Sequence, residues 1–139
     1  MKKIIQVLQN RRGEGYLDVV VSVLVSMMLI VLALNVFSFF TIKQDMDYFA
    51  KELIKAATVN GTTSGVTNER YLELESETGF SPNCQWEATY YNASESTVQL
   101  GDTITVTLYY NTYLQGFGVF KIPVTLTASY SGLSQKYWK

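Results

Sequence analysis

The fold is decided by residues 19–42, which read VVVSVLVSMMLIVLALNVFSFFTI and hold 24 positions without a charged side chain. As a helix that rises 1.5 Å per residue, this stretch is about 36 Å long, more than the ~30 Å hydrocarbon core of a bilayer. Its few Ser, Thr and Asn side chains can bond to carbonyls of the preceding turn. Nothing else in the 139-residue chain is large enough to enclose such a helix. The stretch therefore predicts a transmembrane helix over about residues 19–42.

The charges around this apolar run predict its orientation. Four basic residues precede it: Lys2, Lys3, Arg11 and Arg12. Because segments rich in lysine and arginine stay in the cytoplasm, we expect the N-terminus inside and residues 61–139 outside the cell membrane. Residues 43–139 hold 7 basic and 10 acidic residues, a net charge of −3. A cleaved secretory signal is disfavoured, because the run is too long and bulky residues follow it in place of an A-x-A site.

The residue inventory argues against most enzyme chemistry. The chain has no histidine and a single cysteine, Cys84. A Ser-His-Asp triad, a Cys-His pair, a typical zinc site and an internal disulfide therefore lack their residues. We expect no catalytic activity, no metal and no cofactor. The overall net charge of −1 gives no indication of nucleic-acid binding.

The helix is predicted to continue beyond the apolar run, over about Tyr16 to Thr58. Apolar residues recur at spacings of three and four, at Ile42, Met46, Phe49, Ala50, Leu53 and Ala57. Residues 43–58 thus read as an amphipathic extension, with Asp47 and Lys51 placed to pair on another face. Gly61 is a natural stop. The apolar stripe fits packing on the chain's own domain better than a coiled-coil partner, although an assembly could use both.

Residues 61–139 predict a small α+β head on one core. A short helix is expected in TNERYLELESETG, capped by Thr67 or Asn68 and stopped by Gly79. Alternating apolar and polar residues then indicate strands in CQWEATYY, STVQLGDTITVTLYYN and GVFKIPVTLTASY.

These strands predict a three- to four-stranded antiparallel meander, whose apolar face the helix stripe would cover. Val98, Leu100 and Ile122 belong to the predicted apolar face. Pro123 favours an edge position for the last strand. In the tail SGLSQKYWK, Tyr137 and Trp138 fit either docking on the head or an exposed interaction patch.

The N-terminal stretch carries a family resemblance. Counted from a cut after Gly13, Asp18 is the fifth residue and directly precedes the apolar run. A basic leader over residues 1–13, a glycine at the cut, a fifth-position acid and an apolar helix running into a small head resemble type IV pilin precursors. The segments RRGEGYLDVVVSVLV, TIKQDMDYFAK and SGLSQKYWK look like the pseudopilin-like proteins of tight-adherence (Tad) pilus systems, within an uncharacterised single-pass family of Gram-positive bacteria.

The resemblance implies a structural role in a surface filament or secretion apparatus. A prepilin peptidase would cleave between Gly13 and Glu14. Asp18 would then pair with the new N-terminal ammonium of a neighbouring subunit, and other pilin-like subunits would pack against the apolar helix. Independently of cleavage, an acid in the first turn also stabilises a helix start.

Two departures from the family pattern leave alternatives open. The fifth residue is Asp where Glu is commoner, and Glu14 would be the first mature residue where the family has an apolar one. A cut after Gly15 would leave Asp18 third, which fits the pattern less well. Without any cleavage, the chain would be a single-pass, membrane-anchored binding protein with an extracytoplasmic β-rich head.

Overall fold

The structure is a computed structural model that describes residues 14–116 and 120–139. The predicted leader, residues 1–13, lies outside the described residues. Two helices and five strands follow one another as α1 (Glu14–Asn60), α2 (Val66–Thr78), β1 (Asn83–Ala88), β2 (Tyr90–Asn92), β3 (Thr97–Val98), β4 (Thr103–Gly116) and β5 (Phe120–Leu133).

Helix α1 is continuous over 47 described residues, so the prediction of one long helix is confirmed, and its end at Asn60 lies two residues beyond the predicted one. Its polar side chains do not interrupt it. Ser26 Oγ donates to the carbonyl of Ser22 at 2.8 Å, and Asn35 and Thr41 bond in the same way to carbonyls four residues before them. These bonds satisfy polar groups inside an otherwise apolar helix. The helix is long and apolar enough to span a membrane.

The head contains an antiparallel three-stranded sheet in the order β1-β4-β5. Strand β4 is central; Val106 pairs with Trp86 on one side and with Tyr130 on the other. Pro123 lies in β5, an edge strand, as its missing N–H predicts. The sheet is not a simple meander, because the separate hairpin β2–β3 intervenes between β1 and β4.

The core lies between the second half of α1 and one face of the sheet. Predicted stripe residues Met46, Phe49 and Leu53 are at most 1% exposed, and they face a sheet whose inward residues Ile104 and Val106 are fully buried. Each buried side chain of this size contributes about 1.5–3 kcal/mol by leaving water. The prediction that the helix stripe covers the sheet is confirmed.

Two predicted inward residues are exposed instead. Leu100 is 55% exposed because it lies in the turn between β3 and β4, where strand alternation no longer applies. Ile122 is 59% exposed and lies near the start of β5, two residues after Phe120. Val98, in contrast, is fully buried as predicted.

Helix α2 ends as predicted and begins differently. Gly79 adopts a left-handed conformation with φ of 75°, and its N–H donates to the carbonyl of Glu75 at 2.9 Å. The predicted cap at Thr67 or Asn68 is wrong, because Gly65 occupies the N-cap position without a side-chain bond. Thr67 lies inside the first turn and is buried, and its hydroxyl donates to the carbonyl of Thr62 at 2.7 Å.

The C-terminal tail docks on the end of α1. Trp138 Nε1 donates to the carbonyl of Gly61 at 3.2 Å, and the Gln135 N–H donates to the carbonyl of Thr58 at 2.8 Å. Trp138 is half-buried, whereas Tyr137 is 63% exposed. Docking therefore holds for Trp138, and Tyr137 stays on the surface.

Candidate membrane and assembly surface

The first half of α1 is an uncovered apolar surface. Every side chain over residues 16–34 is exposed in the described structure, including Leu24 at 63% and Leu34 at 63%. Its most apolar 18-residue window has a mean hydropathy of 2.8 and is not buried at all. Exposed apolar surface on this scale marks contact with lipid or with another protein. We name residues 15–41 the bare half of α1 and residues 43–60 the packed half.

Asp18 lies at the N-terminal rim of the bare half. It belongs to the second turn of α1 and is exposed. Among residues 14–116 and 120–139, no cationic side chain lies within ion-pair distance of its carboxylate. Asp18 is thus an exposed acid near the described start of α1, and its pairing with a neighbour's ammonium stays a prediction.

The predicted processing and orientation residues are mostly beyond the described chain. Glu14 is the first residue of α1. Gly13 lies outside the described residues, as do Lys2, Lys3, Arg11 and Arg12. The proposed cut would fall directly before the first described residue.

Lys43 marks the passage from the bare half to the packed half. Its Nζ lies 3.0 Å from Asp47 Oδ1 and donates to the backbone carbonyl of Thr127 in β5 at 2.7 Å. Asp47 therefore pairs with Lys43 and not with Lys51, which was its predicted partner; Lys51 lies over the ring of Tyr130 instead. The first charge after the apolar run is thereby fixed to the sheet.

A charged cluster joins the two helices of the head. Arg70 in α2 contacts Glu73 at 2.9 Å and Glu77 at 3.4 Å, and it reaches Glu52 in α1 at 3.4 Å. The hydrogen bond with Glu73, together with the other carboxylates, raises the pKa of Arg70 further above its already high value. This cluster holds α2 against the packed half of α1.

Cys84 lies in a cleft of the head that measures about 320 Å³. The lining residues are Leu53, Thr63, Thr67, Asn68, Tyr71, Cys84 and Trp86. Burial raises the pKa of the Cys84 thiol to about 11, so the thiol stays protonated and weakly nucleophilic near neutral pH. Within the part of the chain that the structure describes, no group of three or more Cys, Asp or Glu side chains is placed to hold a metal ion.

Residues 23–139 match the family described as Domain of unknown function (DUF4320). The chain belongs to the DUF4320 family. The match begins inside the bare half of α1 and includes the whole head, whereas Gly13 and Asp18 precede it. No curated protein and no solved structure matches this DUF4320 chain.

Two contacts within the head of this DUF4320 protein, those of Arg70 and Trp138, were not predicted from the sequence. Arg70 is three and seven residues before Glu73 and Glu77, a helical spacing that the sequence displays and that would have indicated their pairing. The bond from Trp138 to Gly61 joins residues 77 positions apart, and no local pattern signals it.

Proposed function

We propose that the protein is a structural pilin-like (pseudopilin) subunit of a Tad or type IV-like surface filament or secretion apparatus, processed after Gly13. The observation that carries the proposal is the division of α1. Residues 16–34 of the bare half are exposed on every side within the described chain, and the packed half is built into the core of the head. A rigid helix of this kind suits a subunit that is stored in a membrane and then packs side by side with its neighbours.

Before assembly, the bare half lies in the cell membrane with its N-terminus in the cytoplasm and its head outside. Each large apolar side chain moved from water into lipid contributes about 1.5–3 kcal/mol, so this placement removes the largest exposed apolar surface of the molecule. Asp18 at the membrane edge costs less than an acid at the bilayer centre, but it still favours a cationic partner. An ammonium created by cleavage on a neighbouring subunit supplies that charge.

The test of processing is mass spectrometry of the N-terminus from cells with and without an active prepilin peptidase. We expect the mature chain to begin at Glu14 only when the peptidase is present. Gly13→Leu should block the change, and the matched variant Gly15→Leu should not, which also separates the two candidate cuts. An intact Met1 in peptidase-positive cells would contradict the proposal.

The test of assembly uses Asp18 with its conservative variant. We expect Asp18→Asn to be processed and retained in the membrane but lost from the sheared surface fraction or secretion complex. Asp18→Glu keeps the charge and should restore assembly. Equal incorporation of all three chains would rule out the proposed pairing with a neighbour's ammonium.

The second candidate is an uncleaved, membrane-anchored binding protein. The cleft beside Cys84 is the observation that favours it, because it offers about 320 Å³ within a folded head. On this alternative, Gly13→Leu leaves the chain's size, export and surface display unchanged in peptidase-positive cells. The processing experiment above therefore separates the two functions.

A further inference from the structure

The β4–β5 hairpin extends along α1 beyond the point where the apolar run ends. Thr127 contacts Lys43, the first charged residue after the run, and the strand residues from Thr127 back toward Phe120 continue past this contact. A cleft of about 80 Å³ lies where the two elements approach each other. It is lined by Asn35, Ser38, Phe39 and Ile42 of α1 and by Thr112, Tyr113 and Leu114 of β4.

This contact places the hairpin beside residues that the proposed function assigns to the membrane. Asn35 precedes Lys43 by eight residues, or about 12 Å along the helix axis. The uncharged run is about 36 Å long and exceeds a ~30 Å hydrocarbon core by only about four residues. Whether the core is aligned with the start or the centre of the run, residues 35–39 lie within about 8 Å of its extracytoplasmic boundary.

The composition of the hairpin suits that boundary. Residues 103–135 contain a single charged side chain, Lys121. Tyr113 is 62% exposed and Ile122 is 59% exposed, although both lie in regular strands. In water these two side chains have no apolar neighbours to cover them. Beside lipid headgroups and the first acyl carbons, the lipid covers them.

We propose that residues 112–114 and 121–124, the hairpin end, insert into the headgroup and upper acyl region of the extracytoplasmic leaflet as a second membrane contact. The inference rests on the membrane placement of α1 in the proposed function. The occupant of this surface is therefore lipid of the same bilayer that holds the bare half of α1.

The chemistry of the hairpin end fits shallow insertion. Tyr113 presents an apolar ring and a polar hydroxyl, the combination found at bilayer interfaces. Lys121 can extend its ammonium toward lipid phosphates while its methylene chain stays in apolar surroundings. Open sheet edges are excluded from hydrocarbon because of their unpaired polar groups. Pro123 has no N–H to leave unpaired on the edge strand. The proposed insertion of the hairpin end reaches only the headgroups and the first acyl carbons.

A second contact changes what the membrane imposes on the head. A single helix fixes the depth of the head but leaves the head free to tilt relative to the bilayer. With the hairpin end also in the interface, the head has two points of contact beside each other, and its tilt is restricted.

The test is site-directed spin labelling of the full chain in nanodiscs of phosphatidylcholine and phosphatidylglycerol, with at most one copy per disc. Labels are attached one at a time to Ile122→Cys, Leu133→Cys and Leu24→Cys on a Cys84→Ser background. Ile122 and Leu133 are matched, because both lie in β5 and both are 59% exposed. Collisions with oxygen report lipid, and collisions with a water-soluble nickel chelate report solvent.

We expect the label at residue 122 to collide with nickel at least about threefold less often than the label at 133, and to retain strong oxygen collisions, as for a site 5–10 Å into the interface. Equal nickel collisions at 122 and 133, with residue 24 still protected, would overturn the second contact and leave the membrane span intact. Low collisions of 122 with both reagents would also overturn it, because they indicate cover by protein. Solvent exposure at residue 24 would overturn both proposals.

Discussion

The bare and packed halves of α1 belong to one continuous helix and meet opposite surroundings. In the packed half, apolar residues recur at spacings of three and four, and one face is buried while the other carries charge. In the bare half, apolar residues occur on every face, and over residues 16–34 every side chain is exposed. The period of the apolar residues, more than their number, therefore indicates what a helix contacts.

The boundary between the halves is chemically defined. Lys43 ends the uncharged run and is fixed to β5 through the carbonyl of Thr127. From there onward the helix contributes six of the head's buried apolar side chains: Met46, Phe49, Ala50, Leu53, Ile54 and Ala57. The head is therefore not a separate body joined by a linker, because α1 is part of its core.

The largest expected effect separates the halves with one kind of substitution. Phe49 is fully buried and its ring lies 5.2 Å from that of Tyr71, whereas Phe37 is 71% exposed. We expect Phe49→Ala to lower the free energy of unfolding of the head by about 3–5 kcal/mol, because it removes apolar burial and leaves a cavity. The measurement is urea denaturation in nanodiscs, followed by the fluorescence of Trp86 and Trp138.

Phe37→Ala is the matched control for that experiment. It makes the same chemical change on the same helix, so it should leave the head's unfolding free energy unchanged within about 0.5 kcal/mol. An equal loss of unfolding free energy in the two variants would mean that the bare half also contributes to the stability of the head. The distinction between the two halves would then not hold.

The next effect tests how closely the packed half approaches the sheet. A Cβ atom at Gly132 would lie 2.7 Å from Thr58 Cγ2. We therefore expect Gly132→Ala to destabilise the head by about 1–3 kcal/mol through overpacking, measured by the same denaturation.

Thr58→Ser removes the methyl group that Gly132→Ala would meet, so the double variant should regain most of the loss. Gly15→Ala is the counterpart in the bare half, where nothing lies within 4 Å of an added Cβ, and it should have no effect on the head. Failure of Thr58→Ser to rescue Gly132→Ala would show that another contact limits the space.

The smallest effect concerns the charges between α2 and the packed half. Arg70→Gln removes the contacts with Glu52, Glu73 and Glu77, and its partly exposed position limits the loss to about 1 kcal/mol or less. The difference from wild type should shrink in high salt, which screens exposed charges. A loss that salt leaves unchanged would indicate that Arg70 acts through packing of its aliphatic chain.

The sequence predicts the helix and the strands well because their signals are local. The all-round apolar run, the stripe that follows it and the left-handed stop at Gly79 each depend on residues within a few turns. The start of α2 was missed because Thr67 bonds back to Thr62 and leaves the cap to Gly65. The β2–β3 hairpin and the bond from Lys43 to the carbonyl of Thr127 depend on three-dimensional packing, which no local spacing encodes. The pairing of Lys43 with Asp47, in contrast, follows an i,i+4 spacing that the sequence displays.

For the candidate surface, the sequence predicted the apolar run and the position of Asp18 at its rim. The structure adds the extent of the uncovered surface and the level at which the head begins. The approach of the hairpin end to residues 35–39 required the strand register, because alternation alone predicts Ile122 to be buried.

The most direct test of the account is a cysteine scan of residues 20–58 on a Cys84→Ser background, in nanodiscs with one copy per disc. The measured quantity is the rate of reaction with a membrane-impermeant maleimide. We expect uniform protection on all sides over residues 20–38, followed by a 3.6-residue periodicity over residues 43–58 with Met46, Phe49 and Leu53 at its minima. Reactivity on all sides of the bare half, or the same periodicity along the whole helix, would contradict the account.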